Sequence, residues 1–265
     1  MSKIAIIVEG QSREPVILSN METVFFRNVE FEIIHLMAQQ NIYMLWQRLK
    51  DDDFQTDLIE VIREFNPDLD SSLTQDSFSE IYLFFDYDGH QDNLGGRCRG
   101  DDVVLEMLNT FDNETEQGKL YISYPMVEAL RDYIPNDCRS FTDPAQCTYA
   151  INKLSDYKHD SAHNNLDCSF DKYTYIHWND LLNVFVLRVS CLFCLTEAIS
   201  FEGYRNLTSP LQIFMKQGCY ISDRRIFVLS AFPEFLLDYF GKMFWITNVK
   251  RSTGSLTSCG HRLPQ

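Results

Sequence analysis

Two short apolar runs, each ending in carboxylates and a glycine, constrain this chain more than any other feature. Lys3 to Val8 (KIAIIV) runs into Glu9-Gly10, and Ile81 to Phe85 (IYLFF) runs into Asp86-Tyr87-Asp88-Gly89. Unbroken apolar runs of this length are expected of central parallel strands, whose two faces are both covered. Further strands are expected at Phe31 to Leu36 and Leu120 to Ser123. Between and after them, Glu14 to Phe26, Tyr43 to Lys50, Phe54 to Phe65, Asp102 to Phe111 and Pro125 to about Tyr133 read as helices. Pro15 is tolerated because it falls in a first helical turn. This alternation predicts an α/β fold over residues 1–137, a parallel sheet with helices on both faces.

After Asp137 the pattern changes. Pro144 to Tyr157, Asn179 to Ser200, Ser209 to Gln217 and Pro233 to Trp245 read as helices, with short strands at Tyr173 to His177 and Arg225 to Leu229. Residues 138–247 are therefore expected to form a mainly helical accessory or partner-binding region. Residues 248–265 lack an apolar period and are expected to be a flexible tail.

The chain has 265 residues and a net charge of −15, which excludes a broadly basic nucleic-acid-coating protein. The acidity is concentrated. Asp51 to Gln117 holds 19 carboxylates against Arg63, Arg97 and Arg99, and the rest of the chain is close to neutral. Most of these acids are expected on a solvated face. The N-terminal apolar run is too short for a signal-peptide core, and Leu181 to Leu195 is interrupted by Arg188 and too short to cross a bilayer. A cytoplasmic protein without a membrane span is the expectation. The eight cysteines are irregularly spaced. Cys191-x-x-Cys194 has no second pair to complete a zinc site, and His159, His163 and Cys168 lack an evident fourth ligand. Buried free thiols are the plainer reading.

The strand ends carry the chemistry. In an open parallel sheet, ligands gather beyond the carboxyl ends of the strands, so residues distant in sequence meet there. Glu9 with Glu14, Asp86 with Asp88, and Ser123 with Glu128 each follow an apolar strand. Clustered carboxylates need a compensating cation, and Mg²⁺ or Mn²⁺ with oxygen ligands is the natural one. A pair of such ions about 4 Å apart can clamp the attacking and leaving oxygens of a phosphodiester. Arg13, opening the first helix beside Glu9, and Arg97 and Arg99 in the loop after the aspartates, are candidate phosphate-binding cations. For each motif alone, an ordinary strand end, turn or helix N-terminal charge is the competing reading.

Strand-Glu-Gly followed by strand-Asp-x-Asp-Gly resembles the Toprim domain of topoisomerases, primases and small nucleases. More narrowly, V-E-G-x-x-x-E-P (Val8 to Pro15) and S-x-P-x-x-E (Ser123 to Glu128) resemble the Toprim nucleases of bacterial abortive-infection and anti-phage systems, the RloB-like, OLD-like and PARIS-type effectors. The resemblance covers about residues 1–135. It implies a Rossmann-like Toprim sheet and a Mg²⁺- or Mn²⁺-dependent endonuclease acting on DNA or RNA, transfer RNA included. It also implies a toxin-like effector role in antiviral defence, under an ABC/SMC-like ATPase partner. Glu9 would be the metal-binding acid or general base, with Glu14, Asp86, Asp88, Ser123 and Glu128 completing the metal shell. Lys158 would offset charge at the phosphate, with Lys153 as second candidate.

No P-loop is present, so ATP hydrolysis would belong to another chain. A cytoplasmic nuclease must be restrained, and a homodimer or an inactive complex built through the helical part is expected. The alternative is a non-catalytic Toprim-fold scaffold or sensor subunit that binds a partner protein. Topoisomerase or primase activity needs further DNA-binding parts for which this chain has little room.

Overall fold

A computed structural model describes residues 2–27, 29–51, 53–87, 100–132, 147–163, 169–195 and 197–249. The chain forms two compact units. The first contains Met1–Asp86, Gln91–Ile122 and Ser169–Lys172; the second contains Tyr87–His90, Ser123–Cys168 and Tyr173–Gln265. The second unit thus takes over at Ser123, earlier than the change of sequence pattern near Asp137.

The first unit is built on strands β1 (Ser2–Val8), β2 (Phe31–Met37), β3 (Glu80–Asp86), β4 (Asp112–Asn113) and β5 (Gly118–Ser123), in spatial order β2-β1-β3-β5-β4. β1 pairs parallel with β2 (Val8 opposite Met37) and with β3 (Val8 opposite Phe84). β4 and β5 form an antiparallel edge that the sequence pattern does not announce, since β4 is two residues long. Ile4 to Val8 and Ile81 to Phe85 are buried, as their unbroken apolar runs require. Gly118 opens β5 at φ 107°, and a Cβ there would stand 2.6 Å from Leu83 Cδ1. Both constraints call for glycine.

Helices α1 (Arg13–Phe25), α2 (Ile42–Asp51), α3 (Leu58–Arg63) and α4 (Gly100–Thr110) flank the sheet. α1 buries Ile17, Leu18 and Met21 along one stripe. α3 is shorter than its apolar pattern suggests. The Asp57 carboxylate accepts from the Ile59 amide (2.7 Å) and starts the helix there, while Asn66 beyond it pairs with Met37 through its side chain. Asn66 thereby occupies hydrogen-bonding groups on edge strand β2. Ser169–Lys172 joins this unit through Asn20, whose amide donates to the Asp171 carbonyl at 3.1 Å.

His35 on β2 lies 3.4 Å from Glu22 of α1, and burial holds its pKa below the ordinary 6.5 against the opposing pull of that carboxylate. The folded state thus binds a proton less readily than the unfolded chain. His35 contributes stability fully present above the unfolded value and lost as pH falls through the lower folded one. Denaturation midpoints measured between about pH 5 and 8 should fall on acidification less steeply in His35→Gln than in wild type. An identical pH slope would show that His35 carries no such linkage.

The second unit is mainly helical among the described residues. It contains α5 (Tyr157–Asp160), α6 (Tyr175–Leu192), α7 (Phe201–Leu207), α8 (Pro210–Ser222) and α9 (Ala231–Asn248), with an antiparallel pair β6 (Thr148–Ala150) and β7 (Arg225–Phe227). Several segments differ from their sequence reading. Thr148–Ala150 is a strand followed by a 3-10 turn, not part of a helix. Tyr175–His177 is the first turn of α6, not part of a strand, because the N-cap Thr174 and His177 form a reciprocal cap. Of the helix expected from Pro125, the described residues to Asp132 form only a 3-10 turn, Val127–Leu130. Gln217 of α8 is fully buried and serves as a strand partner: its side chain donates to the Phe227 carbonyl (2.7 Å) and accepts from the Phe227 amide (2.8 Å). Among the described residues, no helix is long and apolar enough to cross a membrane. The expected tail lies outside the described residues from residue 250 onward.

Candidate functional site

The strand order places a topological switch in the first unit. The chain leaves β1 for β2 on one side, then returns past β1 to β3 on the other. A crevice is expected beyond the carboxyl ends of the two strands at such a point. Glu9 follows the last residue of β1, and Asp86 is the last residue of β3.

The structure brings these two residues together. The Glu9 amide donates to the Phe84 carbonyl at 3.2 Å, extending the β1–β3 ladder by one step. The Glu9 carboxylate in turn accepts from the Asp86 backbone amide at 3.3 Å (Oε2). Glu9 is held from its other side by Gln39, whose amide donates to the Glu9 carbonyl at 3.1 Å. Gln39 takes positive φ (52°) to do so, and its side chain donates to the Phe65 carbonyl at 2.9 Å. Nothing in the sequence marks Gln39 for this positioning role, because glutamine carries no signature for that conformation.

Glu14 is drawn into the same turn. Its side chain is largely buried, 8% exposed, and its Oε1 accepts from the Gly10 amide at 3.2 Å. A Cβ on residue 10 would meet both Glu14 carboxylate oxygens at 2.8 Å. The Glu-Gly pairing is thus a packing requirement: the glycine leaves the cradle into which a carboxylate four residues later folds back. Arg13 is the first residue of α1 and is half-buried, with guanidinium nitrogen Nη1 inside the protein.

Of the remaining sequence candidates, Ser123 ends β5, the strand beside β3, and its carbonyl accepts from the Tyr87 amide at 3.1 Å. Ser123 and Glu128 belong to the second unit. The Ser123 hydroxyl accepts from the Ala231 amide at the start of α9 (3.3 Å). Glu128 lies in the 3-10 turn at 0% exposure, and the Lys158 ammonium stands 4.0 Å from its Oε1. Lys158 is otherwise exposed, as is Lys153. Asp88, Arg97 and Arg99 lie outside the described residues, as do His163's side chain and Cys168. Close to Glu128 in sequence, the second unit also holds a cavity of about 20 Å³ lined in part by Asp132, Arg188 and Ser230. Room of that size suits a single water.

Glu9, Asp86 and Glu14 offer hard oxygen donors, the kind Mg²⁺ and Mn²⁺ prefer, and Mg²⁺ commonly takes only one or two carboxylates from protein. Among the described residues, no group of three or more His, Cys, Asp or Glu side chains is arranged to hold a metal ion. Glu9 and Asp86 are the candidate donors for a one- or two-carboxylate site at this strand end. No family profile, no curated protein and no solved structure matches this chain.

Proposed function

We propose that the chain is a Toprim-type, metal-dependent nuclease that hydrolyses phosphodiester bonds. The observation that carries this reading is the Glu9 carboxylate hydrogen-bonded to the Asp86 amide at the sheet's switch point. In this reading Glu9 and Asp86 hold Mg²⁺ or Mn²⁺. The bound cation would supply charge neutralisation at a phosphate and an activated water. Glu14 fixes the turn after β1 through the Gly10 amide, so that Glu9 keeps one orientation. Arg13, which precedes Glu14 in sequence, contributes positive charge in a chain whose net charge of −15 otherwise disfavours a polyanion. Weak intrinsic affinity for nucleic acid follows, with an ATPase partner or a second copy supplying the remaining grip and the restraint.

The test is cleavage of plasmid DNA, single-stranded RNA and transfer RNA with Mg²⁺ or Mn²⁺, comparing wild type with Glu9→Gln. Metal-dependent cleavage confined to wild type supports the proposal, and equal activity in both proteins contradicts it. One observation favours a second reading, a non-catalytic scaffold: no three-ligand cluster occurs among the described residues. That reading predicts no cleavage of any of the three substrates, and an in-cell phenotype that survives Asp86→Asn.

A further inference from the structure

The C-terminal end of α6 carries a residue that does not suit its backbone. The helix closes in a Schellman turn: the Leu195 amide donates to the Ser190 carbonyl (2.8 Å) and the Cys194 amide to the Cys191 carbonyl (3.0 Å). Phe193 is the C-cap, and Cys194 follows it in the left-handed conformation at φ 54°. Glycine, and less often asparagine, fills this position, because a Cβ is strained there. A strained residue kept where glycine would relax the turn invites a chemical reason.

The same turn supplies that reason. Its inner hydrogen bond joins the backbones of the two cysteines of the C-x-x-C themselves. Residues three apart in such a turn have Cα atoms within about 7 Å, and a disulfide needs about 4.4–6.8 Å. The two cysteines differ in exposure: Cys194 is exposed, Cys191 is 8% exposed, and both are free thiols. This is the asymmetry expected of an attacking thiol with a resolving partner behind it.

We propose that Cys191 and Cys194 form a reversible oxidation site, closing to a disulfide across the end of α6 on exposure to a hydroperoxide. The Cys194 thiolate attacks the peroxide, breaking the O–O bond and forming a sulfenic acid; the hydroxide released takes up the proton that the thiol gave up. The Cys191 thiol then attacks the sulfenic sulfur, an S–S bond forms, and water leaves with the Cys191 proton. Two thiols and one hydrogen peroxide give one disulfide and two waters, with two electrons passing from sulfur to peroxide. The site is independent of the nuclease reading and lies wholly within the second unit.

Peptide mapping after native peroxide treatment tests it. Trypsin releases Val189 to Arg205, which contains Cys191 and Cys194 and no other cysteine. The expected result is a peptide lighter by two hydrogen atoms and refractory to alkylation, which dithiothreitol returns to a doubly alkylated form. Cys194→Gly should fold with an unchanged or higher melting midpoint, since glycine suits the turn, and should leave Cys191 alkylatable after peroxide. Alkylation of both cysteines in treated wild type would overturn the proposal. So would over-oxidation of Cys194 beside a free Cys191, or pairing of either with Cys219.

Discussion

Glu9→Gln is expected to lose phosphodiesterase activity by about a hundredfold or more, the scale of removing one charge-stabilising group from an active site. The substitution isolates charge from shape. A glutamine carbonyl can still accept from the Asp86 amide as Glu9 Oε2 does at 3.3 Å, and the ladder bond from the residue 9 amide to Phe84 is a main-chain contact. β1 therefore keeps its place, and the melting midpoint should stay close to that of wild type. Activity measured on plasmid and RNA substrates, alongside a thermal melt, separates the two effects. A variant that unfolds would point to a structural role for the charge, and one that cleaves normally would remove Glu9 from the chemistry.

Gly10→Ala should disturb the same turn through sterics alone. The added Cβ would lie 2.8 Å from both oxygens of the buried Glu14 carboxylate, which now accepts from the Gly10 amide. The carboxylate is the mobile end of its side chain, so the expected cost is its displacement and the lost charged hydrogen bond, about 1–2 kcal/mol. If Glu14 fixes the orientation of Glu9, activity should fall about tenfold or more, because small misplacements near reacting groups are costly. A double-mutant cycle checks the cause. In a Glu14→Ala background the alanine at position 10 meets no carboxylate, so Gly10→Ala should cost little further stability there. Additive losses would show that the close approach is not what residue 10 is selected for.

Much of the sheet is written in local pattern. β1 and β3 are buried on both faces, so their sequences are continuous apolar runs, and the acids that follow them land at neighbouring strand ends. The Glu9–Asp86 contact follows from that register and from β3 lying beside β1. Other features depend on partners that no local pattern contains. Tyr173–His177 has strand-like composition, yet the Thr174–His177 cap and the burial of Trp178 and Leu181 start a helix at Tyr175. Thr148–Ala150 is only three residues long, and is a strand because β7 pairs with it. Gln217 completes the other side of Phe227 from a helix, and Gln39 holds Glu9 from a left-handed turn. In the same way, the Glu14 fold-back explains Gly10 only once the cradle is seen in three dimensions.

The central claim is that the carboxylates of Glu9 and Asp86 together hold a divalent cation, and calorimetric titration with Mn²⁺ measures it without any substrate. Wild type should bind Mn²⁺, and Glu9→Gln and Asp86→Asn should each bind it about tenfold or more weakly while melting as wild type does. Equal affinity in all three proteins, or no binding by wild type, would contradict the claim.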